Sequence, residues 1–478
     1  MLWLSLYFPH LALDVLMRGN STEAGPLAIY GTQNKRQRIY ARNRAAAKLG
    51  IEPGMSMSAA LSLSAQLQTY RRDEAAECAA LEGIAIWAEQ FTPTISLDPP
   101  QGVLLEIAGS LTLFGGVETL RRRILQGLNE MGYHPRTAVA PTPLGARLLS
   151  LAGDAQAIIE KALLQSRLHK LPITVLEIPE NALQALRNMG LRTLGDCLQL
   201  PRGGLSRRLG TSLIQSLDRA LGKLPDPRPS FIPPPHFSSS LNFSFAVHNS
   251  EALLFAAHRL LLELTGFLLA RGSGVQEIQL ELHHAKKPAS HLRLALATPS
   301  RDAEHLRNLL REQLERYRLQ APIEAIRISA EQLLPLEHHN RDLFIDTTAQ
   351  QAWPQLLERL QARLGKEAVR SLCVTDDHRP ERAWRYCTPG AAQAVDHCSQ
   401  RPLWLLETPS RLEIREGHPW LHSKLELLQG PERIESGWWD GNDVCRDYFV
   451  AENARYERLW IFRQRHDAEA WYLHGIFA

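Results

Sequence analysis

Cysteine is scarce and unpatterned. The 478 residues hold six, Cys78, Cys197, Cys373, Cys387, Cys398 and Cys445, and no two have the CxxC spacing. That density excludes a disulfide-stapled scaffold, argues against a zinc ribbon and points to a reducing compartment. Long apolar runs are also missing. No uninterrupted stretch reaches the ~18–20 residues that a bilayer-spanning helix needs. Met1–Tyr7 has neither the basic lead-in nor the long apolar core of a signal peptide. The expectation is a cytoplasmic protein with no membrane segment. Net charge is small: 54 Lys and Arg against 51 Asp and Glu leave +3. There is no blanket basic coat, so any nucleic-acid site must come from local clustering. What is present is a globular composition, 44% apolar and 22% charged, which rules out global disorder and collagen-like repeats. The length suits roughly three domains at ~150 residues each.

Along the chain, Leu2–Phe8 reads as a strand ended by Pro9. Further strands are expected at Gly102–Ile107 and Thr137–Ala140, and a helix over Glu118–Met131 places Leu120, Ile124 and Leu128 on one face. Residues 1–165 are thus mixed α/β. From 166 to 230, short helices are punctuated by Pro172, Pro179, Gly190, Pro201 and Gly210. Within 161–230 there are 11 Lys and Arg against 5 Asp and Glu, so the rest of the chain is net negative. Pro225–Pro235 holds six prolines, which makes a stiff extended connector. Over 236–335 the order is strand (Ser239–Val247), helix (Glu251–Ala270), two strands (Val275–His283, Leu292–Leu296), helix (Arg301–Arg318), strand (Ile323–Ile328): a β-α-β-β-α-β unit. A helix over Trp353–Leu364 lies in a connecting stretch, 336–400. Residues 401–478 hold six of the ten tryptophans and read as a β-rich module with an aromatic core.

Within the basic stretch, Leu186 to Asp196 has the pattern of a helix, a glycine-led turn and a second helix start, a helix-hairpin-helix. Gly190, Leu191, Arg192 and Thr193 form the turn, whose backbone N–H groups and helix start suit a phosphate oxygen. Arg202, Arg207 and Arg208 add charge, and such contacts grip backbone without reading sequence. The alternative is an ordinary αα-turn with a solvated basic face. Two-metal phosphoryl transfer would need about three clustered carboxylates. The first strand has no acid before Asp14; the second region offers Asp98 and Glu106, separated by Pro99, Pro100, Gln101 and Gly102. Ordinary surface carboxylates are the simpler reading, and no metal or cofactor is expected.

Several motifs carry a family resemblance. Gly50-Ile51-Glu52-Pro53-Gly54-Met55-Ser56-Met57 with Ala59-Ala60-Leu61, Leu105-Glu106-Ile107-Ala108-Gly109-Ser110, Phe114-Gly115-Gly116 and Pro201-Arg202 lie in the first half. Gly430-Pro431-Glu432-Arg433-Ile434, Gly437-Trp438-Trp439, Arg446-Asp447-Tyr448 and Trp471-Tyr472-Leu473-His474-Gly475 lie in the tail. With these the whole chain resembles the Y-family DNA polymerases, most closely their bacterial ImuB branch. The resemblance implies a right hand: palm and fingers over 1–165 (fingers about 20–80), helical thumb over 166–230, little finger over 236–335, a connector with a clamp-binding peptide over 336–400, and the β-rich C-terminal module. It also implies damage at the catalytic positions. Ser5 and Tyr7 fall at two acidic positions of the first strand, and Pro99 follows Asp98 where a glutamate is expected. Arg44 and Ala47 take the triphosphate-holding positions, and Pro143 that of a palm lysine.

The resemblance therefore implies a polymerase fold without polymerase activity: a nucleoid-associated scaffold in damage-induced translesion synthesis. It would bind primer-template or single-stranded DNA. It would join an error-prone replicative-type polymerase and a RecA-like small partner (ImuA-like) to the β sliding clamp. Asn340, Arg341, Asp342, Leu343 and Phe344 resemble a clamp-binding peptide, with Gln332, Leu333, Leu334, Pro335 and Leu336 as runner-up; the alternative for both is a loop anchoring its apolar residues in the core. Trp438, Trp439, Arg446, Tyr448 and Arg463 are candidate partner contacts, since Trp, Tyr and Arg favour hot spots, although most tail tryptophans would serve the core. Two other functions stay open: an active polymerase with a rearranged metal site at Asp98, Glu106 or Asp14, and a clamp-independent DNA-binding regulator.

Overall fold

A computed structural model describes residues 1–19, 25–33, 35–317, 319, 321–336, 347–389 and 401–477. The chain forms two compact units, Met1–Glu358 and Arg359–Ala478.

The first unit begins with β1 (Trp3–Tyr7) and α1 (Leu11–Met17). Then come β2 (Leu27–Gln33), β3 (Arg36–Arg42), α2 (Arg44–Lys48), α3 (Met57–Leu63) and β4 (Gln68–Arg71), which make a small sheet ordered β3-β2-β4. This is the fingers. The chain returns through α4 (Glu74–Ala88), β5 (Ile95–Asp98), β6 (Gly102–Glu106), α5 (Leu111–Phe114), α6 (Val117–Glu130), β7 (Arg136–Ala140) and α7 (Pro143–Ala152). The palm sheet is ordered β5-β6-β1-β7. Strand alternation sorts β1 between two cores. Leu4, Leu6 and Phe8 pack with α4 and α6, whereas Trp3 joins the core shared by α7 and the thumb.

The thumb is α8 (Lys161–His169), α9 (Glu180–Asn188), α10 (Leu194–Gln199), α11 (Arg202–Leu209) and α12 (Thr211–Ala220). The little finger follows as β8 (Phe237–Val247), α13 (Ser250–Ala270), β9 (Ser273–His284), β10 (Ser290–Ser300), α14 (Ala303–Arg316) and β11 (Ile323–Ala330). Its sheet runs β10-β9-β11-β8, the expected β-α-β-β-α-β order. By length and composition α13 could cross a membrane. It is instead the core helix of this domain, with Leu253, Leu260, Leu264, Phe267 and Leu268 buried.

Helix α13 also seats the little finger against the palm. Arg18, just past α1, is buried and donates to Glu263 of α13 and to the Tyr133 hydroxyl. Ser239 Oγ donates to the second Glu263 oxygen at 2.5 Å, and Arg259 donates to the Arg18 carbonyl. Trp87 of α4 lies so close to Gly127 and Gly266 that a Cβ at either glycine would overlap its indole. Buried charges carry a desolvation cost that only close partners offset. The contact is thus specific to one arrangement.

In the second unit, α15 (Thr347–Leu364), which begins before the boundary, leads to the hairpin β13 (Ser371–Val374) and β14 (Trp384–Cys387). One cysteine pair departs from the unpaired expectation: Cys373 and Cys387 form a disulfide, because this pairing aligns Ser371 with Cys387 and Cys373 with Arg385. The tail contains β15 (Trp404–Arg411), the short β16 (Glu413–Arg415), β17 (His418–Leu421) and β18 (Ser423–Lys424), then β19 (Glu426–Ser436), β20 (Val444–Glu452), β21 (Arg458–Gln464) and β22 (Asp467–Ile476). Its main sheet runs β15-β22-β21-β20-β19. Both faces of that sheet are covered. Leu459 and Ile461 enter one core, and Trp460 and Phe462 enter the other.

Candidate functional site

At the palm centre the first-strand positions hold neutral groups. Ser5 is buried, and its hydroxyl meets that of Ser150 on α7 at 2.8 Å. Tyr7 donates to Gln101 Oε1 at 3.4 Å, and burial pushes its phenol above the ordinary value. Asp98 remains, at the end of β5. Arg147 of α7 donates from Nε to Asp98 Oδ2, and Arg228 of the proline-rich connector reaches Oδ1 at 3.3 Å. Arg147 also pairs with Glu177, and Arg228 with Asp226 at 3.0 Å. Burial raises the Asp98 carboxyl above its usual range against the pull of these arginines. Burial opposes the Arg147 charge too, but Glu177 and Asp98 outweigh it and hold its pKa up. Two guanidiniums stand where a divalent cation would approach this carboxylate.

The other two acids are elsewhere. Glu106 pairs with Trp3 at the far end of β6 from Asp98, roughly 13 Å along the strand at ~3.3 Å per residue. Its Oε1 accepts from the Leu2 N–H at 2.9 Å, so this half-buried carboxylate is engaged with backbone. Asp14 accepts from the His134 backbone N–H and meets its Nδ1, both at 3.2 Å. Among the described residues no three His, Cys, Asp or Glu side chains converge as a metal site. Arg44 is exposed at the start of α2, Ala47 lies within that helix, and Pro143 opens α7 behind the Thr142 cap. Pro99 belongs to the turn after Asp98.

The thumb turn has the expected shape but a different use of its N–H groups. Gly190 takes φ +80°, a conformation glycine permits, and Leu191 is buried. Asp196 Oδ2, however, accepts from Arg192 N–H at 2.9 Å and Thr193 N–H at 2.8 Å, while Thr193 Oγ1 accepts from Asp196 N–H. This is a capping box, so two donors expected to face phosphate are already satisfied. Arg202 is tied to Asp218. Arg192, Arg207 and Arg208 stay exposed, leaving side-chain cations to carry the charge of this surface.

The peptide Asn340–Phe344 lies outside the described residues. The runner-up is part of the little finger: β12 (Leu334–Pro335) pairs with β9, and Leu336 lies against Gly274. Gln332 is exposed and Leu333 half-buried.

In the tail, Trp438 and Trp439 are 80% and 59% exposed and meet edge to face, so they are surface and not core. Tyr448 is corrected in the opposite sense. It is fully buried, stacked on Trp460 at 4.0 Å between ring centres and bonded to His474 Nδ1 at 2.7 Å. Its place in the middle of a sheet covered on both faces removes it from any contact surface. Arg446 is mostly covered, bonded to the Tyr448 hydroxyl and paired with Glu381, and Arg463 is half-exposed near Asp447.

Three residues were not legible as site residues. Arg147 and Arg228 act on an acid far away in sequence, and nothing local announces it. Arg379 organises the tryptophan loop. Its buried guanidinium makes a fork to Asp440 at 2.8 and 3.0 Å, reaches Asp377 at 2.8 Å and donates to the Asn442 carbonyl at 3.0 Å. Its partners Asp440 and Asn442 lie 61 and 63 residues further on, so nothing local marks it.

The chain is similar to several known proteins. Residues 6–151 match the model of the impB/mucB/samB family. The chain is 29% identical over 457 residues to Protein ImuB of Caulobacter vibrioides, covering 90% of this chain and all of that protein. It is 23% identical to a DNA polymerase IV of Dehalococcoides mccartyi, over 54% of this chain and 68% of that one. Among solved structures, DinB from Sulfolobus solfataricus aligns over 70% of this chain with 16% identity and a TM-score of 0.40.

Proposed function

We propose that this chain, which matches the impB/mucB/samB family over residues 6–151 and is 29% identical to Protein ImuB, is a non-catalytic, polymerase-like scaffold acting on DNA in damage-induced translesion synthesis. The observation that carries this reading is the palm centre. Ser5 is sealed against Ser150, and Asp98 is engaged by Arg147 and Arg228. Two-metal chemistry depends on several carboxylates left free to ligate, and here the single acid at that place holds guanidiniums. The hand then serves to grip DNA through the cations of thumb and little finger. The tail and connector join a replicative-type error-prone polymerase and a RecA-like partner to the β sliding clamp, on the nucleoid in the cytoplasm. The preorganised Trp438–Trp439 loop supports the tail's part in this, because rigid exposed aromatics are efficient anchors.

Primer extension with Mg²⁺ or Mn²⁺ tests the central claim. No extension is expected; extension that Asp98→Ala abolishes would establish the active-polymerase reading instead. The clamp link is tested by pull-down with the sliding clamp, where Leu343→Ala with Phe344→Ala should abolish capture. A wild-type chain that never binds the clamp would favour the clamp-independent regulator.

A further inference from the structure

The face of the palm sheet opposite Ser5 and Tyr7 is covered by α4 and α6. Beside them lies α13, with Trp87 of α4 wedged between Gly127 of α6 and Gly266 of α13. These helices leave an apolar groove of about 590 Å³ with the Trp87 indole at its base. Leu113 and Phe114 of α5 form one wall, and Leu262 and Leu269 of α13 the other. Leu113 is 80% exposed and Leu269 42%, and clustered apolar surface of this kind marks a contact site. The motif Phe114-Gly115-Gly116 shapes the first wall. Its glycines take φ +74° and +100°, values that side chains disfavour, so the chain turns sharply and leaves Leu113 outside. Arg123 and Glu130 of α6 stand on the rim. Both are exposed, and among the described residues neither meets an opposite charge within ion-pair distance.

One stretch of the same chain starts at the end of this groove. Strand β12 pairs antiparallel with β9, Leu334 opposite Gly274 and Pro335 opposite Ser273, and the Leu336 N–H donates to the Gly272 carbonyl at 3.3 Å. Each residue forward on β12 thus meets one residue earlier on its neighbour. At Leu336 the chain is directed at the C-terminal end of α13, where Leu269 ends the groove. Residues 337–346 follow, outside the described residues, and include Arg341-Asp342-Leu343-Phe344. Leu343 can lie as far as about 23 Å from Leu336 at ~3.3 Å per residue. Leu262, at the other end of the groove, is only roughly 15 Å from Gly272 along α13 at ~1.5 Å per residue. Downstream, Glu358 of α15 accepts from the Ala297 N–H at 2.7 Å and meets His305 Nε2 at 2.5 Å. Both flanks of 337–346 are therefore attached to the little finger.

We infer that the groove between α5, α6 and α13 is a seat for the chain's own Arg341–Phe344 segment. Leu343 and Phe344 supply the large apolar side chains that Leu113, Phe114, Leu262 and Leu269 leave uncovered. Arg341 and Asp342 supply one charge of each sign for the rim, where Glu130 and Arg123 stand. A short tether holds the segment at a local concentration on the order of millimolar, so a contact that is weak between separate molecules suffices here. The consequence for the clamp rests on the clamp-binding reading above: Leu343 and Phe344 cannot fill the groove and a clamp pocket at once, so the two sites compete for the same residues.

The test is fluorescence anisotropy of a labelled synthetic peptide with the sequence of residues 337–346, added to the full-length chain. A chain carrying Leu343→Ala/Phe344→Ala no longer fills its own groove and should bind the peptide. The wild-type chain should bind it ~10-fold or more weakly, because its tethered copy competes. Adding Leu113→Glu, or Leu269→Glu on the opposite wall, to Leu343→Ala/Phe344→Ala should abolish binding. Both side chains are exposed, and an unchanged melting curve shows that the fold survives. In pull-down, Leu113→Glu alone should raise capture by the sliding clamp. A Leu343→Ala/Phe344→Ala chain that does not bind the peptide, binds it no better than wild type does, or binds it equally well with both walls changed overturns the inference and leaves the clamp reading standing. Peptide binding that either wall variant abolishes, in a chain that no clamp captures, upholds the groove and overturns the clamp reading instead.

Discussion

Asp98 is the acid on which two arginines from distant parts of the chain converge. Its carboxylate holds Arg147 and Arg228 together, and each arginine has a second acid, Glu177 or Asp226. Asp98→Asn should cost about 2–4 kcal/mol by urea unfolding, since mostly buried guanidiniums lose their counter-charge. Asp98→Asn/Arg147→Met should recover part of that loss. His474 makes a second residue-level prediction. Burial pulls its imidazole down to about 4 from the usual 6.5. The folded state therefore binds fewer protons than the unfolded state between these values. The contribution of neutral His474 is complete above pH ~6.5 and is lost as pH falls towards ~4. In thermal melts of wild type and His474→Asn, the difference in melting temperature between the two should change across this window and be flat above it.

At the scale of elements, α13 ties the little finger to the palm through Glu263. Arg18→Met or Glu263→Gln should destabilise the first unit by about 3–5 kcal/mol and raise hydrogen exchange in α1 and β8 before α6. In the tail, Arg379→Ala should speed exchange over 437–442 and reduce partner capture as much as Trp438→Ala does, while the buried Trp460 stays unexchanged with solvent. Much of this level was legible. Leu280, Leu282, Leu292, Leu294 and Leu296 alternate, and Leu306, Leu309, Leu310 and Leu314 recur at helical spacing, so the little finger could be read in order. The thumb turn was legible in shape but not in bonding, because the capping role of Asp196 competes for the same N–H groups a phosphate would take. Tyr448 misled because Arg446-Asp447-Tyr448 looks like a contact motif, while its burial depends on Trp460, Phe462 and His474, which neighbouring strands bring against it from 12 to 26 residues further on. The arginines at Asp98 were hidden for the same reason: ion pairs over 49 and 130 residues leave no local pattern.

For the whole molecule, charge is distributed by region and not by total. A chain of net +3 concentrates positive charge in the thumb, where Glu180 and Asp218 already hold part of it. DNA affinity should accordingly fall steeply between 50 and 200 mM salt, and Arg207→Glu/Arg208→Glu should flatten that dependence. The paired arginines at the palm also bear on reversibility. An aspartate at Ser5 would be sealed beneath α7, and removing Arg147 alone would strand Glu177 and Asp98 without a shared counter-ion. Each step towards a cation-holding palm weakens the hand before the next can repair it. Building a cation site here one acid at a time would therefore pass through forms less able to fold.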